Sequence, residues 1–555
     1  MYQNEIKKLS KYDNIIAVLR FIIFTLIVIS LFFLKYHFFY LITIFFTISF
    51  VMLIIIHDKV INKLRFYQAI LEIYQEIEQK KNLEFTYIKT DFKSNDLAKD
   101  LDLDYLFSLI NCGYTYKGKK ILFEHLTEPK FSDSEIINRQ QAVKEMFEKH
   151  NVFNKKFQAY SKMKKSRKIS YNFENYLFKE KNKYQDIYLL LLLIGFIDIL
   201  GIIFNIFPWW SILILFIFNY LVKNKQKQEL DEYLTALDSL SLTFETYNNL
   251  ASLINTEKFE CEYLVSLKEQ LLKGQIAFKK LIFINNLANF VKNPFTDFIF
   301  SGFFALVGNV YTLFIKWGKK YKNDLYQSID AIAAIEEIIS LTTINEVFPS
   351  STPTLINKTK IAFTNLSHPL IKNYVSNDVN FSKNSVVITG SNMSGKTTYL
   401  RSIGINLVLA LNGANILASS GQFTNIKIFT SMRVHDDVNK GISTFYAEIK
   451  RIKSMIEYSK TNQPMICLID EIFKGTNSLD RIKGATEGIN KLTKDNVIII
   501  VSTHDFELCN LDNIVNYHFE EYYENDEIHF TYKLQDDRCK TSNAIFLMKL
   551  AGIID

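Results

Sequence analysis

Ser385-Val386-Val387-Ile388-Thr389 runs directly into Gly390-Ser391-Asn392-Met393-Ser394-Gly395-Lys396-Thr397-Thr398. The first five residues read as a buried strand. The next eight satisfy the spacing GxxxxGK[ST], and a helical pattern opens at Thr398. Strand, loop and helix in that order are the context in which this spacing cradles phosphate. Gly390 and Gly395 let the chain turn its N–H groups inward, and the helix N-terminus adds its positive end. Lys396 is placed for the β and γ phosphates, and the Thr397 hydroxyl for Mg²⁺. The expected ligands are ATP and Mg²⁺. The expected nucleotide contacts are Gly390, Ser391, Asn392, Met393, Ser394, Gly395, Lys396, Thr397 and Thr398.

Two further strand patterns lie downstream. Met465-Ile466-Cys467-Leu468-Ile469 ends in Asp470-Glu471. Asp470 suits the Mg²⁺ shell, and Glu471 suits polarisation of an attacking water. Residues 496–501 lead into Ser502-Thr503-His504-Asp505, which puts His504 at a strand edge where a γ-phosphate is sensed. Strand, loop and helix alternate through this region, so a largely parallel sheet with helices on both faces is expected.

These motifs together resemble the MutS family of DNA mismatch-repair ATPases. The carriers are Thr389 to Arg401 with Asn-Met inside the loop, Ser443-Thr444-Phe445 with Glu448, Asp470-Glu471-Ile472-Phe473-Lys474-Gly475-Thr476-Asn477-Ser478, and Thr503-His504-Asp505-Phe506-Glu507-Leu508. The resemblance spans 368–554. A looser likeness to the start of the MutS core domain runs from Asp100-Leu101-Asp102-Leu103-Asp104 to Arg139-Gln140-Gln141-Ala142-Val143. The resemblance implies an ATPase homodimer in which Ser443 completes the partner's site. It implies an aromatic packed on adenine, for which Tyr374 or Val375 is the local candidate. It also implies a C-terminal helical element, 537–554, that braces the dimer, and it implies DNA binding.

The N-terminal half departs from that family. Residues 15–34 and 38–56 are apolar runs, each long enough to cross ~30 Å of hydrocarbon. Residues 187–222 form a second hairpin candidate around Phe207-Pro208-Trp209-Trp210. Pro breaks a helix there, and Trp suits a membrane interface. Lys and Arg flank the outer ends of both hairpins and are scarce at their tips, which predicts that the long segments face the cytoplasm. A fifth apolar stretch, 298–315, is read as a buried or interfacial helix, because a fifth crossing would remove the ATPase motifs from ATP. The expected location is therefore the cytoplasmic membrane.

Of the 555 residues, 48% are apolar and 47 are Phe, and these runs account for much of the apolar excess. The net charge of +7 is small for this length. The densest basic cluster, Lys155 to Lys168, fits phosphate, anionic lipid or plain solvent. The five cysteines have no paired spacing, so neither a zinc site nor a disulfide framework follows. A mismatch-reading domain is not expected in the stretch before the core-like segment, much of which is apolar hairpin, and Phe178-Lys179-Glu180 is expected to match that domain's wedge only as a string.

The expected architecture is thus an α/β P-loop (ABC-type) ATPase domain at 351–555 joined to an all-α core or lever domain at 97–350. A membrane hairpin occupies 1–60 and a helical linker 61–96, and the second hairpin interrupts the lever. The expected function is a membrane-anchored MutS-like ATPase that binds DNA. The alternative is a mechanochemical ATPase acting on a membrane protein partner without DNA. A transporter with a fused ATPase fits less well, for want of a Leu-Ser-Gly-Gly-Gln run.

Overall fold

The computed structural model describes residues 2–33, 36, 38–163, 185–382, 385–391, 393–433, 444–474, 476–524 and 527–539. Helices α1 (Tyr2–Phe32) and α2 (Phe38–Lys81) fold back on each other. Their most apolar windows are 6% and 0% buried by the rest of the chain. Such bare apolar surface suits lipid rather than water. The polar groups in this pair find each other instead. Thr43 donates to the Ser30 hydroxyl at 2.9 Å, and His57 lies between Arg20 and Asp13 at 2.6 and 2.7 Å.

Helix α2 does not stop where its apolar run ends. It continues to Lys81, so the expected linker at 61–96 is a continuation of the span up to that point, and 82–95 contains no helix. Ala69, Ile70, Ile73 and Ile77 recur at helical spacing and pack around Ala159, and this stripe sustains the extension. Leu83, with φ +58, ends it.

Five helices follow: α3 (Asp96–Asp100), α4 (Leu103–Ile110), α5 (Tyr116–Thr127), α6 (Asp133–Glu148) and α7 (Asn151–Met163). Thr115 caps α5, and Ser132 with Glu135 forms a reciprocal capping box on α6. After residue 184 come α8 (Gln185–Ile203), α9 (Ser211–Lys225), α10 (Lys227–Thr256), α11 (Glu262–Lys292), α12 (Pro294–Phe304), α13 (Leu306–Leu341) and α14 (Thr343–Val347). Among the described residues three helices, α1, α2 and α8, are long and apolar enough to cross a membrane. With 15 residues, α9 reaches only about 22 Å.

The stretch 298–315 is not one helix. The chain bends by 82° between α12 and α13, at Ala305 with φ +49. A break in an apolar setting strands backbone carbonyls, and side chains must meet them. Asn309 donates to the carbonyls of Phe304, Ala305 and Tyr188 at 3.2, 3.1 and 2.9 Å. Asn219 donates to Gly302 at 2.7 Å. Asn219 and Asn309, which interrupt these apolar runs, are therefore groups that satisfy the break.

From Ala305, α13 runs 36 residues along α11 and α10 into a buried polar junction. Glu336 accepts from the Tyr114 and Thr115 amides at 2.7 and 3.2 Å, from the Thr115 hydroxyl, and from Ser161 at 3.0 Å. A Cβ on Gly118 would stand 2.0 Å from this carboxylate, so only glycine fits. Beside it, Glu337 pairs with Arg139 at 2.5 Å and His125 at 2.8 Å. Burial alone would raise the Glu337 carboxyl, but the Arg139 charge and the His125 hydrogen bond hold it low.

The remainder is two sheets. Strands β1 (Thr354–Leu355), β2 (Lys360–Leu366), β3 (Asn377–Ser382) and β5 (Ser420–Phe423) form a small one in the order β1-β5-β2-β3. The larger sheet holds β4 (Ser385–Thr389), β6 (Lys427–Ser431), β7 (Met465–Asp470), β8 (Val497–Ser502), β9 (Ile514–Glu524) and β10 (Glu527–Asp536), in the order β10-β9-β4-β8-β7-β6. It is parallel except for the β9–β10 hairpin. Helices α15 (Lys396–Leu411), α16 (Thr444–Ser459) and α17 (Ser478–Leu492) belong to this part. Strands β4, β7 and β8 are buried at every residue, as a sheet covered on both faces requires.

Candidate nucleotide site

Parallel register assembles the site. Ile388 on β4 lies opposite Ser502 on β8, and Ser502 lies opposite Asp470 on β7. Three strands therefore end together, with the glycine loop, Asp470-Glu471 and His504 at one edge of the sheet. That carboxyl edge is where open α/β sheets bind ligands.

The loop between β4 and α15 turns through Gly390 at φ +143, Met393 at φ +68 and Gly395 at φ +109. A Cβ on Gly390 would stand 2.7 Å from the Phe519 carbonyl, so a side chain there is excluded by space as well as by φ. Lys396 donates to the carbonyls of Gly390 and Ser391, both at 2.7 Å. Burial lowers its pKa, while the nearby acids Asp470 and Glu471 oppose that shift. Thr397 donates to Asp470 at 2.8 Å, and the Ser502 hydroxyl donates to the other Asp470 oxygen.

Glu471 sits at φ +55, an uncommon angle for a non-glycine residue, immediately after β7. Its Oε1 is 3.3 Å from His504 Nε2, and its Oε2 is 3.5 Å from Lys474. The His504 hydrogen bond, with the Lys474 and Lys396 charges, outweighs burial and brings the carboxyl down to about 2.

A cleft of about 550 Å³ opens over the loop. It is lined by Ser391, Met393, Ser394, Gly395, Lys396, Thr397, Thr398 and Glu471, and by Tyr374 and Val375 from the segment before β3. Tyr374 is half-buried and its hydroxyl lies 3.2 Å from Ser402. Asp470 and His504 stand beside the cleft through their contacts with Thr397 and Glu471. Asn392 and Ser443 lie outside the described residues, as do Gly475, the basic residues from Lys164 to Lys168, Phe178 to Glu180, and all of the C-terminal element after Cys539.

Other contributors were not expected from sequence. Phe519 on β9 and Tyr532 on β10 line the same cleft. The β9–β10 register shifts between Phe530 and Leu534, and Tyr532, at φ +52, comes within 3.3 Å of the Cβ that Gly395 lacks. A bulge re-aims a side chain in this way, but no local signature marks Tyr532 in the string. Asp100 and Asp102 belong to the acidic run Asp100-Leu101-Asp102-Leu103-Asp104, which by itself points to no contact with the nucleotide part. Asp100 is fully buried and accepts from the Met432 and Arg433 amides at 3.2 and 2.9 Å and from Arg451 at 2.9 Å. Asp102 pairs with Arg401 of α15 at 3.2 Å and with Arg433 at 2.5 Å. One acidic turn of the helical part thus grips the phosphate-loop helix, the end of β6 and α16.

An oxygen pair at the sheet edge, an acid held by a histidine, and a lysine-bearing glycine loop are chemistry that suits a nucleotide with its metal ion. Residues 386–555 match the family model for MutS domain V, and this C-terminal part of the chain is similar to that ATPase domain.

Proposed function

We propose that the protein is a membrane-anchored MutS-like ATPase that binds Mg·ATP, hydrolyses it as a homodimer, and transmits the cycle through its helical lever to the apolar helices at the cytoplasmic membrane. The observation that carries the reading is the Thr397–Asp470 contact at 2.8 Å beside the Glu471–His504 pair. Thr397 and Asp470 offer the hard oxygen donors that Mg²⁺ requires. Bound there, the ion would offset charge on the β and γ phosphates. Lys396 exchanges the Gly390 and Ser391 carbonyls for phosphate oxygens, and the inward amides of the loop add to its effect. Glu471 is ionised at neutral pH. Held at about 2, it is a weak base, so its work is to orient and polarise the water rather than to take its proton early. His504 fixes the carboxylate and reports γ-phosphate to it. Ser443 of a second protomer completes the site, and Tyr374 packs against the base.

A second reading drops DNA and keeps a membrane protein partner. It is favoured by α13, which joins the break at Ala305 to the Glu336 junction, and by the apolar helices α8 and α9, which interrupt the lever. The test uses the full chain in detergent. ATP turnover should fall steeply in Lys396→Ala and Glu471→Gln, and Mg·ATP should increase the sedimenting mass to that of a dimer. Wild-type turnover equal to that of both variants would refute the ATPase. Anisotropy with homoduplex, mismatched and branched DNA at low salt separates the two readings: salt-sensitive binding supports DNA, and no binding removes it.

A further inference from the structure

Ser391, the second residue of the glycine loop, donates its hydroxyl to Glu521 Oε2 at 2.9 Å. Glu521 comes from β9 and is only 5% exposed. Its Oε1 has no hydrogen-bond partner among the described residues, and neither does the Ser394 hydroxyl in the same loop. The loop rests directly on this strand, with the Phe519 carbonyl against Gly390. Lys396 feels the Glu521 carboxylate together with Asp470 and Glu471. The ATPase chemistry above has no use for an acid in this place. A carboxylate behind an anion cradle opposes every phosphate charge that enters it, and a buried one is screened little by salt.

We infer that Glu521 is a positioning residue of the nucleotide site, which holds the loop through Ser391 and makes it select metal-bound over metal-free nucleotide. The inference rests on the Mg·ATP reading given above. Metal-free ATP brings its full negative charge to a cradle that already has a carboxylate behind it. Mg·ATP brings two charges fewer, so the same carboxylate penalises it less. The ratio of the two affinities is therefore set in part by Glu521. Lys396, held on the Gly390 and Ser391 carbonyls, is the cation that must leave this arrangement when phosphate enters.

The test is a fluorescent ATP analogue titrated into the detergent-purified full chain, with Mg²⁺ and with EDTA. Glu521→Gln keeps an acceptor for Ser391 and removes the charge. Metal-free binding should tighten about tenfold, Mg²⁺-bound binding should move by no more than about threefold, and the preference for metal should shrink accordingly. Glu521→Met, of similar volume and uncharged, repeats the measurement should the Gln variant fold poorly. Unchanged preference in whichever uncharged variant folds would overturn the inference. A wild type that binds neither form, or binds as well with Lys396→Ala, would instead overturn the underlying nucleotide reading.

Discussion

Replacing Asp100 with Asn tests how the helical part is joined to the nucleotide part. The carboxylate is fully buried and accepts three hydrogen bonds, from the Met432 amide at 3.2 Å, the Arg433 amide at 2.9 Å and Arg451 at 2.9 Å. Asn keeps one acceptor oxygen and turns an N–H group toward partners that also donate. The charge-assisted bond to Arg451 is worth about 1.5–3 kcal/mol, and one buried amide left unmet costs about 1–3 kcal/mol. Arg451 retains Asp96 at 3.0 Å, which limits the loss. The sum is about 3–4 kcal/mol of local opening free energy. Such a change shortens protection by roughly two to three powers of ten. The assay is hydrogen–deuterium exchange at Met432 and Arg433, with the β7 and β8 amides as the internal reference. Exchange within about threefold of wild type at both positions, with ATP turnover intact, would refute the joint. A chain of this size does not unfold in one step, so a single melting temperature is a poorer readout than the local amides.

Glu471→Gln should lower turnover by about 10²–10⁴-fold while Mg·ATP binds no more weakly, measured by phosphate release and analogue titration. His368 is buried beside Arg401, and these two effects, burial first, bring its pKa down to about 4. Its Nδ1 accepts from the Leu370 amide at 3.2 Å. The folded state therefore keeps it neutral, while the unfolded chain takes up a proton below about pH 6.5. Stability is then lost as pH falls from 6.5 towards 4, by up to about 3 kcal/mol. His368→Asn, with an oxygen in the place of Nδ1, should flatten the thermal midpoint between pH 7 and 5 relative to wild type. Asn309→Leu strands the carbonyls at the Ala305 break and should cost about 1–3 kcal/mol, seen as earlier unfolding in detergent; an unchanged midpoint would mean that the break is satisfied otherwise.

The glycine loop, the acid pair after β7 and the histidine after β8 were all legible in the string, because each is a local pattern tied to a strand end. The apolar runs were legible for the same reason. Less was legible in their limits. The end of α2 depends on Ala159, far away in sequence, and not on the end of the apolar run. The stretch 298–315 reads as one apolar helix, but two Asn side chains and Ala305 make it two. Tyr532 and Glu521 were not legible at all. They reach the loop because β9 pairs with β4 and β10 folds back with a shifted register, and neither fact leaves a mark on the neighbouring residues.

By itself the amino-acid order determined the glycine loop with its lysine, the acid pair after β7 and the presence of long apolar helices, since each follows from residues within a few positions of one another. Tertiary structure alone decided which acid stands behind the loop, which turn of the helical part grips α15 and α16, and how the apolar helix is broken. Those outcomes depend on pairings between distant segments, where burial and hydrogen bonding of whole elements, rather than the preference of any one residue, select the partner.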